Sequence, residues 1–162
     1  MKSSKIRKVV AVLTLVSAVV VGSQSAFANT NINEQNDIQN NGYYTPEAFL
    51  AGAPSGANNP FLYNKVGTLS SSTDMDWYTI SFPSNTYFPG AKALITMAFP
   101  SGYYGYVGLT TETGGYVQRT IVNDSPGIFQ FEFEFQPNTI YRLRVDSNGP
   151  NPGPFTYILG VD

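Results

Sequence analysis

This 162-residue chain has few kinds of side chain that can catalyse a reaction or bind a metal, because it contains neither histidine nor cysteine. Those two absences exclude Ser–His and Cys–His nucleophile activation, disulfide bonds, and metal sites ligated by imidazole or thiolate. Carboxylates, lysines and tyrosines are the groups left for catalysis or binding. Most enzyme classes are therefore excluded.

Five carboxylates in the second half of the chain are candidates for paired acid–base catalysis. A glycosidase needs two acids held a set distance apart across a cleft, one of them with a raised pKa. No spacing selects such a pair, and a small domain without long inserted loops offers little cleft. A small carboxylate-based hydrolase is thus the weakest functional alternative. The five residues are Glu112, Asp124, Glu132, Glu134 and Asp146.

Tyrosines interleaved with glycine form a second candidate set. Residues 101–108 read SGYYGYVG, and a further tyrosine follows the TETGG turn. Exposed tyrosine offers flat, amphipathic contact area at low entropic cost, which suits a sugar ring or an extended peptide such as collagen. The alternative is that these rings belong to the core of a sheet. The candidate ligand-binding residues are Tyr103, Tyr104, Tyr106 and Tyr116.

The first 28 residues predict secretion. Four basic residues lie within the first eight positions, residues 9–21 carry no charge, and an Ala-Phe-Ala sequence ends at Ala28. This is the pattern of a secretory signal peptide with its cleavage site. The apolar run is shorter than the roughly 20 residues that a membrane-spanning helix needs. We expect cleavage after Ala28, an extracellular protein and no membrane insertion.

The net charge of the expected mature chain limits the classes of partner that it can bind. Without residues 1–28 the chain has five basic residues and eleven acidic ones, a formal net charge of −6. Nucleic-acid binding requires clustered lysine and arginine to neutralise phosphates. We therefore expect no nucleic-acid partner, and no attraction to anionic lipid.

The predicted secondary structure that positions these side chains changes in character at about residue 65. Residues 29–64 read as a polar leader and a Pro-rich irregular segment, in which TPEAFLA predicts one helical turn with Thr45 as N-cap and Pro46 at the first helical position. Residues 65–162 alternate β-rich runs with turn signals. They predict an all-β antiparallel sandwich, jelly-roll-like, of about eight strands. Leader and sandwich core together should form one domain. The predicted strands are Lys65–Leu69, Trp77–Phe82, Ala93–Phe99, Tyr104–Thr110, Tyr116–Val122, Ile128–Phe135, Ile140–Val145 and Phe155–Val161.

Two of these runs have clear alternation. IFQFEFEF places four phenylalanines on one face and polar side chains on the other, and IYRLRV repeats the pattern with arginines outward. The short QPN connector between them predicts a hairpin. In that hairpin Glu132 and Glu134 would lie beside a pair of arginines. Those arginines are Arg142 and Arg144, and the expected role of the four charges is cross-strand pairing on a solvated face.

The string DMDWY at residues 74–78 is the most informative motif. Its two carboxylates, two residues apart, lie on one side of an extended chain just before an aromatic strand. Together with GTL at 67–69, YRLRV at 141–145 and YILGV at 157–161, it resembles a bacterial pre-peptidase C-terminal domain. The resemblance covers about residues 33–161. It implies that Trp77 packs structurally at the start of its strand.

The family resemblance implies a secreted, non-catalytic β-sandwich of the kind usually appended to proteases, similar to the collagen-binding modules of clostridial collagenases. We expect no catalytic domain beside this one. We therefore interpret the chain as a binding module that contacts an extracellular polymer, either a collagen-like protein or a polysaccharide, through its tyrosine-bearing sheet face. The alternative is an accessory or chaperone-like partner of a co-secreted protease.

The same resemblance implies calcium as a cofactor. In the collagen-binding relatives an E-x-N-D string in the leader and a D-x-D string at the start of a strand jointly ligate Ca²⁺, which takes carboxylate and amide oxygens. The alternative is that the leader does not pack and the two strand aspartates only shape a turn. The implied ligands here are Glu34, Asn36, Asp37, Asp74 and Asp76.

Overall fold

The computed structural model of the chain describes residues 29–35, 42–147 and 154–162. The predicted signal peptide, residues 1–28, lies outside the described residues. Single 3₁₀ turns occupy Pro60–Leu62 and Ser84–Thr86, and no helix in the described ranges is long and apolar enough to cross a membrane. The strands are β1 (Thr30–Asn33), β2 (Glu47–Ala48), β3 (Tyr63–Leu69), β4 (Met75–Ser81), β5 (Lys92–Ala98), β6 (Gly105–Thr111), β7 (Thr120–Ser125), β8 (Ile128–Glu134), β9 (Ile140–Ser147) and β10 (Phe155–Val161).

The strands form two sheets that face each other as a β-sandwich, so the predicted fold class is confirmed. One sheet has the order β1-β3-β10-β5-β8-β7 and the other the order β2-β4-β9-β6. Two pairs, β1 with β3 and β2 with β4, are parallel, and the rest are antiparallel. The two strands added to the predicted eight, β1 and β2, are short polar segments without the alternation that marks the others.

The core forms where the apolar faces of the two sheets meet. On β8 the rings of Phe129, Phe131 and Phe133 are all at most 2% exposed, and on β9 Leu143 and Val145 are fully buried. This is the alternation of period two that the sequence predicts. Its consequence for function is that the residues between the inward positions of β4 and β9 point away from the core. On β6 the ring of Tyr106 still packs against the core ring of Phe129, with centroids 5.3 Å apart.

The predicted hairpin of β8 with β9 is wrong, because the two strands belong to different sheets. Both strands carry apolar side chains on alternate positions, so they bury them equally well by facing each other across the core. The connector supports the crossing with Asn138 in the left-handed region at φ 56°. As a result Glu132 forms an ion pair with Lys92 at 2.6 Å, and the β9 arginines lie on the outside of the opposite sheet.

The predicted helical turn after Pro46 is also wrong. Glu47 and Ala48 instead form β2, parallel to β4, and the Phe49 amide donates to the Thr79 carbonyl at 2.8 Å. Tertiary contacts override the local capping signal here: the Glu47 carboxylate lies 2.6 Å from the ammonium group of Lys65. The segment that the sequence describes as irregular therefore adds an edge strand to the smaller sheet.

Candidate functional site

The strand register of the smaller sheet brings outward-facing side chains into rows that cross it. In one row Trp77 on β4 lies opposite Arg144 on β9, which lies opposite Gly108 on β6. In the next row Thr79, Arg142 and Thr110 align in the same way. Aromatic and cationic side chains separated by more than sixty residues in sequence are thus neighbours on one face.

The guanidinium group of Arg144 lies between two rings on that face. Its Cζ is 6.0 Å from the ring centroid of Trp77 and 5.9 Å from that of Tyr106, within the range of cation–π attraction. Its Nε lies 2.8 Å from Oδ2 of Asp146. Burial raises the pKa of the Asp146 carboxyl group although the Arg144 guanidinium acts in the opposite direction.

Arg119 closes the edge of the sandwich beside these rings. It lies in the connection from β6 to β7 and donates hydrogen bonds to the Tyr106 hydroxyl and to the Val107 carbonyl. Its Cζ is 4.9 Å from the Tyr106 ring centroid and 4.8 Å from that of Phe131. These contacts fix the Tyr106 ring. The strand predicted at residues 116–122 begins only at Thr120, and Tyr116 instead forms an isolated bridge with Thr110.

Tyr43 reaches this face from the segment before β2. Its ring packs edge-on against Trp77 with centroids 5.2 Å apart, and the Cζ of Arg142 lies 4.2 Å from its centroid. Its hydroxyl is 3.5 Å from the carbonyl oxygen of Glu112. Tyr43 therefore lies across part of the sheet and holds the Arg142 guanidinium against its ring.

Between these side chains lies an open groove of about 230 Å³, with Gly108 in its floor. Within the described part of the chain, Oγ1 of Thr110 and Nε of Arg142 are buried and make no hydrogen bond. Buried polar atoms are paired in the great majority of cases. Seven such atoms in the described chain make no hydrogen bond, and three of the seven belong to groove residues, the third being Nε of Arg144, which is ion-paired with Asp146. We call this surface the outer groove. Its principal walls are Trp77, Tyr106, Thr110, Tyr116, Arg142 and Arg144.

Two of the four tyrosines predicted to bind a ligand line the outer groove, and two do not. Tyr106 and Tyr116 both line the outer groove, and Tyr116 is 84% exposed. Tyr103 packs against the core, 5.1 Å from the Phe155 ring. Tyr104, just before β6, is 41% exposed and lies outside the groove walls.

Sequence reasoning missed Trp77 and the two β9 arginines as groove residues, and also Thr110 and Arg119. Trp77 is only half-buried and lines the groove, whereas the family resemblance gave it a packing role at the start of its strand. The signal was present in the alternation of β4 and β9, because Tyr78 and Leu143 point inward and their neighbours must then point outward. What the sequence lacked was the pairing of β9 with β4 and β6.

Two of the predicted calcium ligands lie in a buried cluster at the opposite side of the smaller sheet. Oε1 of Glu34 accepts from the Thr68 amide at 2.8 Å and Oε2 accepts from the Tyr78 hydroxyl at 3.3 Å. Oδ2 of Asp76 accepts from the Tyr157 hydroxyl at 2.7 Å. The leader and the DMDWY string are thus neighbours through two tyrosines.

The other predicted calcium ligands are placed differently. Oδ2 of Asp74 accepts from the amide and the hydroxyl of Ser70, at 2.7 and 2.6 Å, and so shapes the turn before β4. Asn36 and Asp37 lie outside the described residues. Within residues 29–35, 42–147 and 154–162, no three acidic side chains are grouped closely enough to hold a metal ion.

The buried cluster continues to an ion pair between the sheets. Lys65 is fully buried, and its ammonium group donates to Glu47 at 2.6 Å and to the Ala51 carbonyl at 2.8 Å. Burial lowers the pKa of Lys65, against the effect of the Glu47 carboxylate, and burial raises the pKa of both tyrosine hydroxyls. We call these side chains the inner polar cluster. Its members are Glu34, Glu47, Lys65, Asp76, Tyr78 and Tyr157.

The five carboxylates considered for catalysis do not line the outer groove. Glu112, Asp124 and Glu134 are exposed, Glu132 is paired with Lys92, and Asp146 lies beside Arg144. The groove therefore presents aromatic rings and cations to a ligand rather than a pair of acids.

Comparisons with known proteins give a distant likeness. One similar solved structure is the pre-peptidase C-terminal domain of collagenase from Bacillus anthracis, at 21% sequence identity and a TM-score of 0.44. The alignment covers 61% of this chain and 87% of that chain. No protein-family model matches the chain, and no curated protein matches it. The likeness concerns the fold alone.

Proposed function

We propose that this protein is a secreted, non-catalytic binding module of the pre-peptidase C-terminal type, and that its outer groove holds an extracellular polymer. The observation that carries this proposal is the pair of buried polar atoms on the groove wall, Thr110 Oγ1 and Arg142 Nε, which make no hydrogen bond within the described chain. A buried donor left unpaired costs about 1–3 kcal/mol. A ligand removes that cost when a small movement of the Thr110 and Arg142 side chains brings these atoms into the groove.

The rings around those atoms support a polymer as the ligand. Trp77, Tyr106 and Tyr116 present flat amphipathic surfaces along one side of an open groove. Its volume is below the roughly 300–1,000 Å³ of clefts that enclose a drug-sized molecule. The groove suits one unit of a chain that continues over the sheet surface at both ends.

Co-sedimentation with insoluble polymers tests the proposal. The secreted protein is mixed with fibrillar collagen, with bacterial cell wall and with a panel of neutral and acidic polysaccharides, and the bound fraction is measured. Tyr116→Ala should lower binding at least tenfold, because this exposed ring contributes contact area and little to the core. Phe88→Ala, at a 66% exposed ring outside the groove, is the matched control and should leave binding unchanged.

Two results would contradict this function. One is the absence of binding to every polymer in the panel, with capture of a co-secreted protease instead, which would favour the accessory role. The other is polymer binding that Tyr116→Ala and Trp77→Ala leave intact, which would place the ligand elsewhere on the protein.

A further inference from the structure

The charges of the described chain are distributed unevenly over the sandwich. Three of the five basic residues outside the predicted signal peptide are arginines, and all three line the outer groove. The two lysines lie elsewhere, each in an ion pair: Lys65 with Glu47 and Lys92 with Glu132. A chain that is acidic as a whole therefore concentrates its unsatisfied positive charge on one face.

Within that face, two guanidinium groups have no carboxylate partner. Arg144 pairs with Asp146, but Arg119 and Arg142 form no ion pair with any residue that the structure describes. Arg142 also has its Nε buried without a hydrogen bond. A guanidinium group held against a ring, as Arg142 is against Tyr43 at 4.2 Å from the ring centroid, is preorganised for a planar carboxylate.

On these observations, and resting on the proposed function, we propose that the outer groove binds an acidic polysaccharide, a glycan whose sugar rings carry carboxylate groups. The carboxylate would be held by Arg142, with Thr110 as a further hydrogen-bonding group. The apolar face of the sugar ring would lie against Trp77 or Tyr116. Both kinds of contact are available within one groove of about 230 Å³.

The backbone around the groove favours a glycan over an acidic peptide. Peptides commonly bind sheets by adding a strand to a free edge, and β6 is the edge strand here. That edge is already covered, because Arg119 donates to the Val107 carbonyl and the Thr111 amide donates to the Gly115 carbonyl at 2.9 Å. An isolated bridge between Thr110 and Tyr116 covers it further. What is left open is the side-chain surface across the strands.

The decisive probe is a pair of polymers that differ only in charge: polygalacturonate and its fully methyl-esterified form. By affinity electrophoresis or calorimetry, the secreted protein should bind polygalacturonate at least tenfold more tightly than the ester. Affinity should fall as salt is raised from 50 to 500 mM, because exposed charges are screened. Poly-glutamate at equal charge density should bind at least tenfold more weakly than polygalacturonate.

Arg142→Gln keeps a planar hydrogen-bonding group but removes the charge, so it should reduce polygalacturonate affinity at least tenfold and abolish the preference over the ester. Lys92→Gln, which removes a paired charge outside the groove, is the matched control and should leave both unchanged. If Arg142→Gln lowers the melting temperature, Tyr116→Ala at its exposed position gives the independent test.

The outcomes separate this inference from the function on which it rests. Equal binding of polygalacturonate and its ester, or binding of collagen alone, would overturn the acidic-glycan assignment and leave a polymer-binding module standing. Tighter binding of poly-glutamate would overturn the glycan in favour of an acidic peptide. Binding of no polymer at all would remove both the inference and the proposed function.

Discussion

The inner polar cluster and the outer groove both combine aromatic rings with charged side chains, yet they treat those charges in opposite ways. In the inner polar cluster every ionisable side chain makes at least one hydrogen bond within the protein, and the two tyrosine hydroxyls are 2.5 Å apart. One carboxylate oxygen there, Oδ1 of Asp76, makes no hydrogen bond to the described residues. In the outer groove, polar atoms of Thr110 and Arg142 are buried and make no hydrogen bond within the described chain.

The contrast distinguishes a structural role from a binding role. Buried polar groups that satisfy one another fix how the elements pack, and the cluster ties the leader strand, the DMDWY string and the last strand together. Polar atoms beside an open groove keep their hydrogen-bonding capacity for a ligand. Disrupting the first region should therefore lower the free energy of unfolding, whereas changing the second should alter binding and leave the fold intact.

The largest expected effect comes from the buried ion pair. Lys65→Met should lower the free energy of unfolding by about 3–5 kcal/mol, because the Glu47 carboxylate would lose its partner in a buried site. Denaturant unfolding followed by tryptophan fluorescence measures it. Lys65→Met combined with Glu47→Gln removes both charges and should recover most of the loss. A single variant as stable as the parent would mean that the pair is solvated.

Calcium gives the next test of the inner polar cluster. If Glu34, Asn36, Asp37, Asp74 and Asp76 ligate Ca²⁺, calcium at a hundred times its dissociation constant should stabilise the protein by about 2.7 kcal/mol. The melting temperature should then rise with calcium concentration, and Asp37→Ala should abolish the rise. Identical melting curves in calcium and in chelator would leave Glu34, Asp74 and Asp76 with only their hydrogen-bonding roles.

The same substitution, glycine to alanine, at one position in each region tests the contrast between the inner polar cluster and the outer groove. A Cβ at Gly67 would overlap the Tyr157 hydroxyl and lie 2.9 Å from Oε2 of Glu34, whereas a Cβ at Gly108 would meet its nearest atom, Cβ of Arg144, at 3.5 Å. Gly67→Ala should therefore cost about 1–3 kcal/mol through overpacking. Gly108→Ala should leave the melting temperature unchanged and weaken polymer binding. Equal destabilisation by both would contradict the division of roles.

The sequence predicts the sandwich because strand positions and inward faces depend on short, local patterns of residues. Alternation on β8 and β9 identifies the inward faces, and the turn residues between runs delimit the strands. The assignment of strands to sheets depends instead on which faces meet across the core, and two strands with the same alternation can pair side by side or face to face. That is why the sequence favours a β8–β9 hairpin, which would put Glu132 and Glu134 beside the wrong partners.

The candidate site could be predicted only in part for the same reason. Tyr106 and Tyr116 stand out because they lie among glycines in one stretch of sequence. Arg142, Arg144 and Trp77 join them through pairings that span the chain, and nothing in their local sequence shows it. Once β9 is known to lie between β4 and β6, the outward positions of three strands specify the groove.

The smallest expected effect concerns Asp146, the carboxylate beside the groove. Burial raises its pKa above the ordinary value of 3.8, so the folded protein binds this proton more tightly than the unfolded chain. Its contribution to stability is therefore fully present below pH 3.8 and is lost as the pH rises through the folded-state pKa. Asp146→Asn, which stays neutral, should gain stability relative to the parent over that rise, as measured by unfolding at a series of pH values.

The same variant removes the carboxylate that pairs with Arg144, so it should also bind polygalacturonate more tightly. A relative stability that instead falls with rising pH would mean that the Arg144 pairing outweighs burial, and that this arginine is committed to the protein rather than to a ligand.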